Sequence, residues 1–227
     1  GLTPLKRLLI DRTEGNPLFL EESVRALVEG GVIAGTRGAY HVARSLDGVS
    51  VPPTVQAILA ARIDRLAAGD KRLLQAAAVV GKDVPFGLLL AIAGLDEDGL
   101  RQGLGRLQGA EFLYEARLFP DLEYTFKHAL THEVAYGSLL GERRRALHGA
   151  LVDAIERLHA DRLDQHVEQL AHHALRGQRQ DKAARYLRQA GDRAAARSAN
   201  REAVTFFEQA IPVLRELPDT AETVAEA

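Results

Sequence analysis

The sequence predicts a mainly α-helical fold with short β-hairpins, and three observations carry that expectation. Apolar residues recur at three- and four-residue steps over most of the 227 residues, the spacing of an amphipathic helix. The period lapses at 112–114 and 122–126, where aromatic residues crowd around a Phe119-Pro120-Asp121 turn and a two-stranded hairpin is expected. Past Lys127 the helical spacing returns, and no later strand is expected.

Taken in order, Gly1-Leu2-Thr3 already reads as helix, and Asn16-Pro17 opens the first well-signalled one. Asn is a favoured N-cap, Pro suits the first helical position, and Glu21 and Glu22 follow near the positive end of the helix dipole. Leu18, Leu20, Val24, Leu27 and Val28 supply its apolar stripe, and Gly30-Gly31 stops it. Val32-Ile33 and Tyr40-His41-Val42 flank a Gly35-Thr36-Arg37-Gly38 turn as a short hairpin, and a boundary falls at 47–53. From Pro53, Val55, Ile58, Leu59, Ile63 and Leu66 mark the next helix. Three short helices follow over 70–80, 85–93 and 96–107, separated by Gly81-Lys82-Asp83 and Gly94-Leu95. Beyond the aromatic hairpin, helices are expected over 128–140, 142–159, 163–175, 181–197 and 200–217.

Composition sets the outer bounds. A hydrophobic content of 46% supports a packed core, and 29 Lys+Arg against 31 Asp+Glu leave a formal charge of −2, so no global field favours nucleic acid or membrane. The absence of Cys excludes disulfides and thiol chemistry and fits a reducing compartment, so a cytoplasmic location is expected. Apolar runs such as 76–80 and 86–93 are too short to span a bilayer, and no signal peptide opens the chain. With no Met and a start at Gly1, the chain is expected to follow an upstream segment, and 218–227 to be an acidic tail or the start of another repeat.

Helices followed by an aromatic hairpin describe a winged helix over 51–140. The last two helices fit the register of a tetratricopeptide repeat (TPR), which asks for Gly late in the first helix and Ala, a large aromatic and Ala in the second; Gly191, Ala203, Phe207 and Ala210 fall there. Leu187 and Ala194 replace the pattern's Trp and Tyr, so the repeat is degenerate, and one repeat leaves an outer face for further repeats downstream. No G-x-x-x-x-G-K-[ST] loop exists: Gly81-Lys82 is followed by Asp83, with Ala76 five positions before Gly81, so ATP hydrolysis within these residues is not expected.

Residues 12–22, Arg-Thr-Glu-Gly-Asn-Pro-Leu-Phe-Leu-Glu-Glu, and 124–136, Tyr-Thr-Phe-Lys-His-Ala-Leu-Thr-His-Glu-Val-Ala-Tyr, together resemble two elements of the signal-transduction ATPases with numerous domains (STAND), a branch of the AAA-like P-loop superfamily. The first is similar to the lid, where the proline of a Gly-x-Pro turn lies against the nucleotide base. The resemblance assigns that contact to Pro17, with Gly15 and Asn16 shaping the turn. The second is similar to the signature helix of the family's winged helix, whose leading histidine reaches the diphosphate of ADP; the role carries onto His128, although Ala129 stands where immune-receptor relatives have Asp. The resemblance covers nearly the whole chain and implies ATP/ADP as cofactor, with Mg and the main phosphate site in an upstream P-loop domain of a longer polypeptide. Its nearest form is a bacterial protein in which an adenylate/guanylate cyclase precedes the ATPase module and helical repeats follow. On this basis 1–50 is the end of the ATPase module, 51–140 a winged-helix-like domain, 141–180 connecting helices and 181–217 a TPR-like hairpin. The implied partners are the P-loop domain, downstream repeats, an effector such as a cyclase, and a protein or small-molecule signal on the repeats.

Other chemistry finds little support. A DNA-reading role for the helix over 96–107 conflicts with its opening Asp96-Glu97-Asp98, which sets three acids against Arg101 and Arg106. Arg143-Arg144-Arg145 with His148 offers a place for an acidic partner or phosphate, against the commoner reading of such a run, diluted here by Glu142, as a solvated face; His132 and Glu133 read as exposed polar positions. His166, His172 and His173 lack the i, i+4 spacing of zinc ligands and read as polar helix positions; no catalytic residue and no metal ligand is assigned. The residues alone leave a second reading open, a winged-helix/TPR transcriptional regulator or interaction scaffold without nucleotide chemistry.

Overall fold

The computed structural model describes residues 2–36, 39–44, 52–119 and 121–217, the side chain of Pro4 aside. Two N-terminal helices, α1 (Thr3–Thr13) and α2 (Pro17–Glu29), precede a minimal hairpin of β1 (Ile33–Ala34) and β2 (His41–Val42), in which Ile33 faces Val42. The hairpin was expected; part of its turn, 37–38, and most of the boundary at 47–53 lie outside the described residues. Helices α3 (Val55–Arg65), α4 (Ala68–Val80), α5 (Phe86–Ala93) and α6 (Glu97–Gly109) follow within a few residues of their expected limits.

Strand β3 (Asp83–Pro85) is a departure from the sequence reading, which treated 81–83 as a separator between helices. It joins β4 (Leu113–Arg117) and β5 (Glu123–Phe126) in an antiparallel sheet of order β3-β5-β4. Three residues are too few to show an alternating pattern. Val84 is fully buried opposite Tyr124, so β3 is extended because β5 supplies a partner some forty residues downstream. Strand β4 also runs past residue 114, with an irregularity between Glu115 and Arg117.

Helix α7 (Ala129–Gly137) is shorter than expected, and the span over 163–175 is a 3-10 turn (Leu163–His166) leading into α9 (Val167–Arg176). Helix α8 (Gly141–Leu158) precedes that turn, and α10 (Gln180–Ala196) packs along α11 (Asn200–Glu216). The four repeat positions behave as their register requires: Ala203 and Ala210 are buried, and a Cβ on Gly191 would lie 2.5 Å from the Phe207 ring, so only Gly admits this approach.

Two buried apolar clusters organise the described residues. Leu5, Leu9, Phe19, Leu27, Ile33 and Ile58 form a small one around α1, α2 and β1. A larger one runs without interruption from Ile63 through α4, α6, the sheet, α8 and α9 to Val213 on α11. The segments 51–140, 141–180 and 181–217 therefore share one core, with α5 packed on α8. Helix α3 contributes Ile58 to the first cluster and Ile63 to the second.

Candidate functional site

The chain reaches α2 through two residues with positive φ, Glu14 at 49° and Gly15 at 78°, which reverse its direction after α1. Asn16 then caps the helix in an extended conformation: its side-chain oxygen accepts the Phe19 backbone N–H at 3.1 Å, and Pro17 occupies the first helical position. Gly15, Asn16 and Pro17 are all exposed. The turn thus presents a rigid apolar ring at the positive end of a helix, with the Asn16 side chain committed to capping.

His128 stands at the corresponding place on α7. Strand β5 delivers it in an extended conformation (φ −136°, ψ 141°) as the N-cap, but its side chain makes no capping bond. Its Nε2 is buried and without a hydrogen-bond partner, the one orphaned nitrogen among the described histidines.

The two helix starts meet through the residue before His128. Lys127 Nζ donates to Glu21 Oε1 at 2.6 Å and to Glu111 Oε2 at 2.5 Å, and Arg25 donates to the same two carboxylates at 3.1 and 2.5 Å. Glu21 follows Pro17 by four residues, on the same face of α2. The hydrogen bond from Lys127 holds the Glu21 carboxyl below the usual carboxylate range against a smaller opposing effect of burial, with Arg25 and His128 adding to the lowering. Glu111 is lowered in the same way, first by Lys127 and then by Arg25.

A buried arginine lies beneath this quartet. Arg62 of α3, 2% exposed, is paired with Glu22, forks onto Glu29 at 2.7 and 3.0 Å, donates to the Ala110 carbonyl at 2.8 Å, and stacks 4.7 Å above the Phe112 ring. Burial, the largest influence, opposes its charge, yet Glu29 and Glu22 more than offset this and raise its pKa. Neither Arg62 nor Glu29 was singled out from the sequence, and Glu22 was read only as an acid near the positive end of the helix dipole. A signal existed: Glu22 and Glu29 stand two turns apart on α2, and Arg62 interrupts the apolar stripe of α3 at three and four residues from Leu59 and Ile58.

Several residues read as solvated or simply polar helix positions are instead packed inside. His148 is 1% and His173 4% exposed, and their Nδ1 atoms share a hydrogen bond at 2.8 Å; His132 is half-buried, edge-on to Phe126 at 5.1 Å. Arg144, from the expected solvated run, lies half-buried 4.7 Å over the Tyr136 ring and donates to the Leu139 carbonyl at 3.0 Å. Their burial was invisible because α7, α8 and α9 converge on this point from different stretches of sequence. On α6, Arg101 pairs with Glu97 at 2.7 Å and Arg106 with Asp70 at 2.8 Å, so both basic groups of the helix considered for DNA already have acidic partners.

No family model matches the chain. It is similar to an uncharacterised protein of Rhizobium meliloti (strain 1021), 29% identical over 223 residues that cover 95% of this chain and 21% of the relative. The chain thus spans about a fifth of the length of the curated relative it matches. Among the described residues no helix is long and apolar enough to cross a membrane, and no three His, Asp or Glu side chains are grouped as metal ligands.

Proposed function

We propose that this chain is the nucleotide-sensing and signal-transmitting part of a STAND-type ATPase: the lid of α2 and the winged helix that ends in α7 close on ADP held by an upstream P-loop domain, and exchange for ATP releases them. The observation that carries the proposal is the junction of the two helix starts, in which Lys127, the neighbour of His128, is held by Glu21, one turn from Pro17. A switch needs its two sensing elements mechanically joined, because a nucleotide shifts an equilibrium only through different affinity for the two states. The residues fit the group they would contact: the orphaned Nε2 of His128 is a free polar atom, and the exposed Pro17 ring offers a face for a base. The quartet of Glu21, Glu111, Arg25 and Lys127 is neutral in sum, so phosphate recognition falls to His128 and to the P-loop.

In this role Pro17 and His128 bind and orient, and bond breaking is left to the upstream domain. The protein acts in the cytoplasm, and the helical hairpins beyond α7 carry the signal to an effector such as a nucleotide cyclase. Calorimetry with ADP and ATP tests the proposal, on this chain and on a longer polypeptide that carries the P-loop domain. Tight ADP binding by the longer form, weakened about tenfold or more by Pro17→Ala or His128→Ala, is expected. A well-folded longer form that binds neither nucleotide, or whose affinity ignores both substitutions, would overturn it in favour of a winged-helix/TPR scaffold.

A further inference from the structure

Away from the junction of α2 and α7, a cleft of about 290 Å³ opens between the C-terminal turn of α4, α7 and α9, with α8 behind it. Its apolar floor is Val79 and Val80, and its polar wall is His132, Tyr136, His148, Gln169, His172, His173 and Arg176; no lining residue carries a carboxylate. In a chain with 31 acidic residues and a formal charge of −2, a cleft that gathers four imidazoles around a guanidinium without an acid is unusual. A second guanidinium, that of Arg144, stands just behind the Tyr136 ring. Arg176 forms no ion pair among the described residues; one N–H donates to the Tyr136 hydroxyl at 3.1 Å, and the remaining donors of its guanidinium are uncommitted.

The deeper groups are already occupied, and this decides what the outer ones can do. His132 Nε2–H donates to the Ala78 carbonyl at 2.9 Å, which fixes its tautomer and covers an otherwise free acceptor at the end of α4. The arrangement that uses every proton runs from Arg176 to the Tyr136 oxygen, from the Tyr136 O–H to His148 Nε2 at 2.9 Å, and from His148 Nδ1–H to His173 Nδ1. This chain is complete and needs no ligand. What remains facing the cleft is a set of donors: the rest of Arg176, the exposed His172 ring, and the Gln169 amide nitrogen, whose oxygen is spoken for by His166 Nδ1 at 3.3 Å. The positive field is felt by three of the imidazoles, the two buried ones and His172. Burial first, and then the neighbouring cations and imidazoles, hold His148, His172 and His173 below the usual histidine range, and no carboxylate counters the effect at any of them.

We propose that this cleft is a binding site for a small oxyanion, a phosphate or carboxylate group, held by Arg176, Gln169 and His172. Gln169, His172 and Arg176 follow one another at three- and four-residue steps on α9, so an anion there would be held by one face of that helix, over the apolar floor that α4 supplies. The site is independent of the nucleotide contacts proposed at Pro17 and His128.

The test is calorimetric titration of inorganic phosphate and, separately, acetate into the 227-residue chain, with the histidine C2–H resonances followed by NMR. One-to-one binding of either probe with a shift at His172 is expected, and the probe that binds tighter identifies the source of the oxyanion. Arg176→Gln, at an exposed position, is expected to weaken binding about tenfold or more, the loss of a charge-assisted contact. Arg101→Gln on α6, also exposed, should leave it unchanged. No saturable binding of either probe, equal losses in both variants, or binding without a shift at His172 would each overturn the proposal, whatever the outcome of the nucleotide experiments.

Discussion

The two polar junctions that α7 makes, one with α2 and one with α8 and α9, are built from opposite materials. Between α2 and α7, Glu21, Arg25, Glu111 and Lys127 interlock full charges at a partly exposed surface, over the buried pair of Arg62 and Glu22. Between α7, α8 and α9, the connection is a chain of neutral groups, Tyr136, His148 and His173, beside a cleft whose lining carries no acid. The first junction therefore answers to carboxylate titration and to salt, and the second to imidazole titration. One molecule carries two interfaces with different sensitivities.

The largest expected effect breaks the charged side from beneath. Arg62→Ala removes the buried partner of Glu22, 1% exposed, and leaves it only the longer contact to Arg25 at 3.6 Å; the loss should cost about 3 kcal/mol of stability in urea denaturation. Adding Glu22→Gln should recover part of that loss. A single variant within about 1 kcal/mol of the parent would show that the buried pair does not hold α2 to α3.

Truncating the neutral side comes next. His148→Leu removes the partner of both the Tyr136 hydroxyl and His173, and an unsatisfied buried group costs about 1–3 kcal/mol. The same residues set a pH signature. Burial lowers the folded pKa of His148 to about 4 and of His173 to about 3, from an ordinary value of 6.5. A depressed histidine means that the unfolded chain binds more protons. Its contribution is present in full above pH 6.5 and is lost as pH falls from 6.5 toward about 4 and 3. Melting temperatures should fall between pH 7.5 and 5 in the parent and fall less in His148→Leu; parallel curves would refute the assignment. The charged junction should behave differently: Glu21 and Glu111 lie below their ordinary 4.5, so their contribution persists above 4.5 and is lost only in stronger acid.

The smallest effect sharpens the contrast. Lys127→Ala removes a partly exposed ion pair and should cost about 0.2–1 kcal/mol, shrinking as salt is raised. A loss that ignores salt would mean that Lys127 acts through packing of its stem instead of its charge.

What was legible in the sequence was local. The α2 cap reads directly from Asn16-Pro17 because a cap involves residues three apart, and the close packing of Gly191 against Phe207 follows from a repeat register within one hairpin. Strand β3 was illegible because its conformation is imposed by β5. The Glu21–Lys127 contact joins residues 106 apart, and no local pattern predicts it. His148 and His173 were noted but not as buried groups, because a polar residue whose partners come from other helices has no periodic signature.

Helix α3 has a consequence of its own. Its 11 residues form a rod about 16 Å long, anchored at one end in the small apolar cluster and at the other in the large one, with the Arg62 fork between. Any rocking of α2 must drag this rod, and the rod ends inside the body that reaches to α11. Helix α2 is thus mounted on an axle rather than a hinge, and a cross-link that immobilised α3 would fix α2 to the larger core without touching either Pro17 or His128.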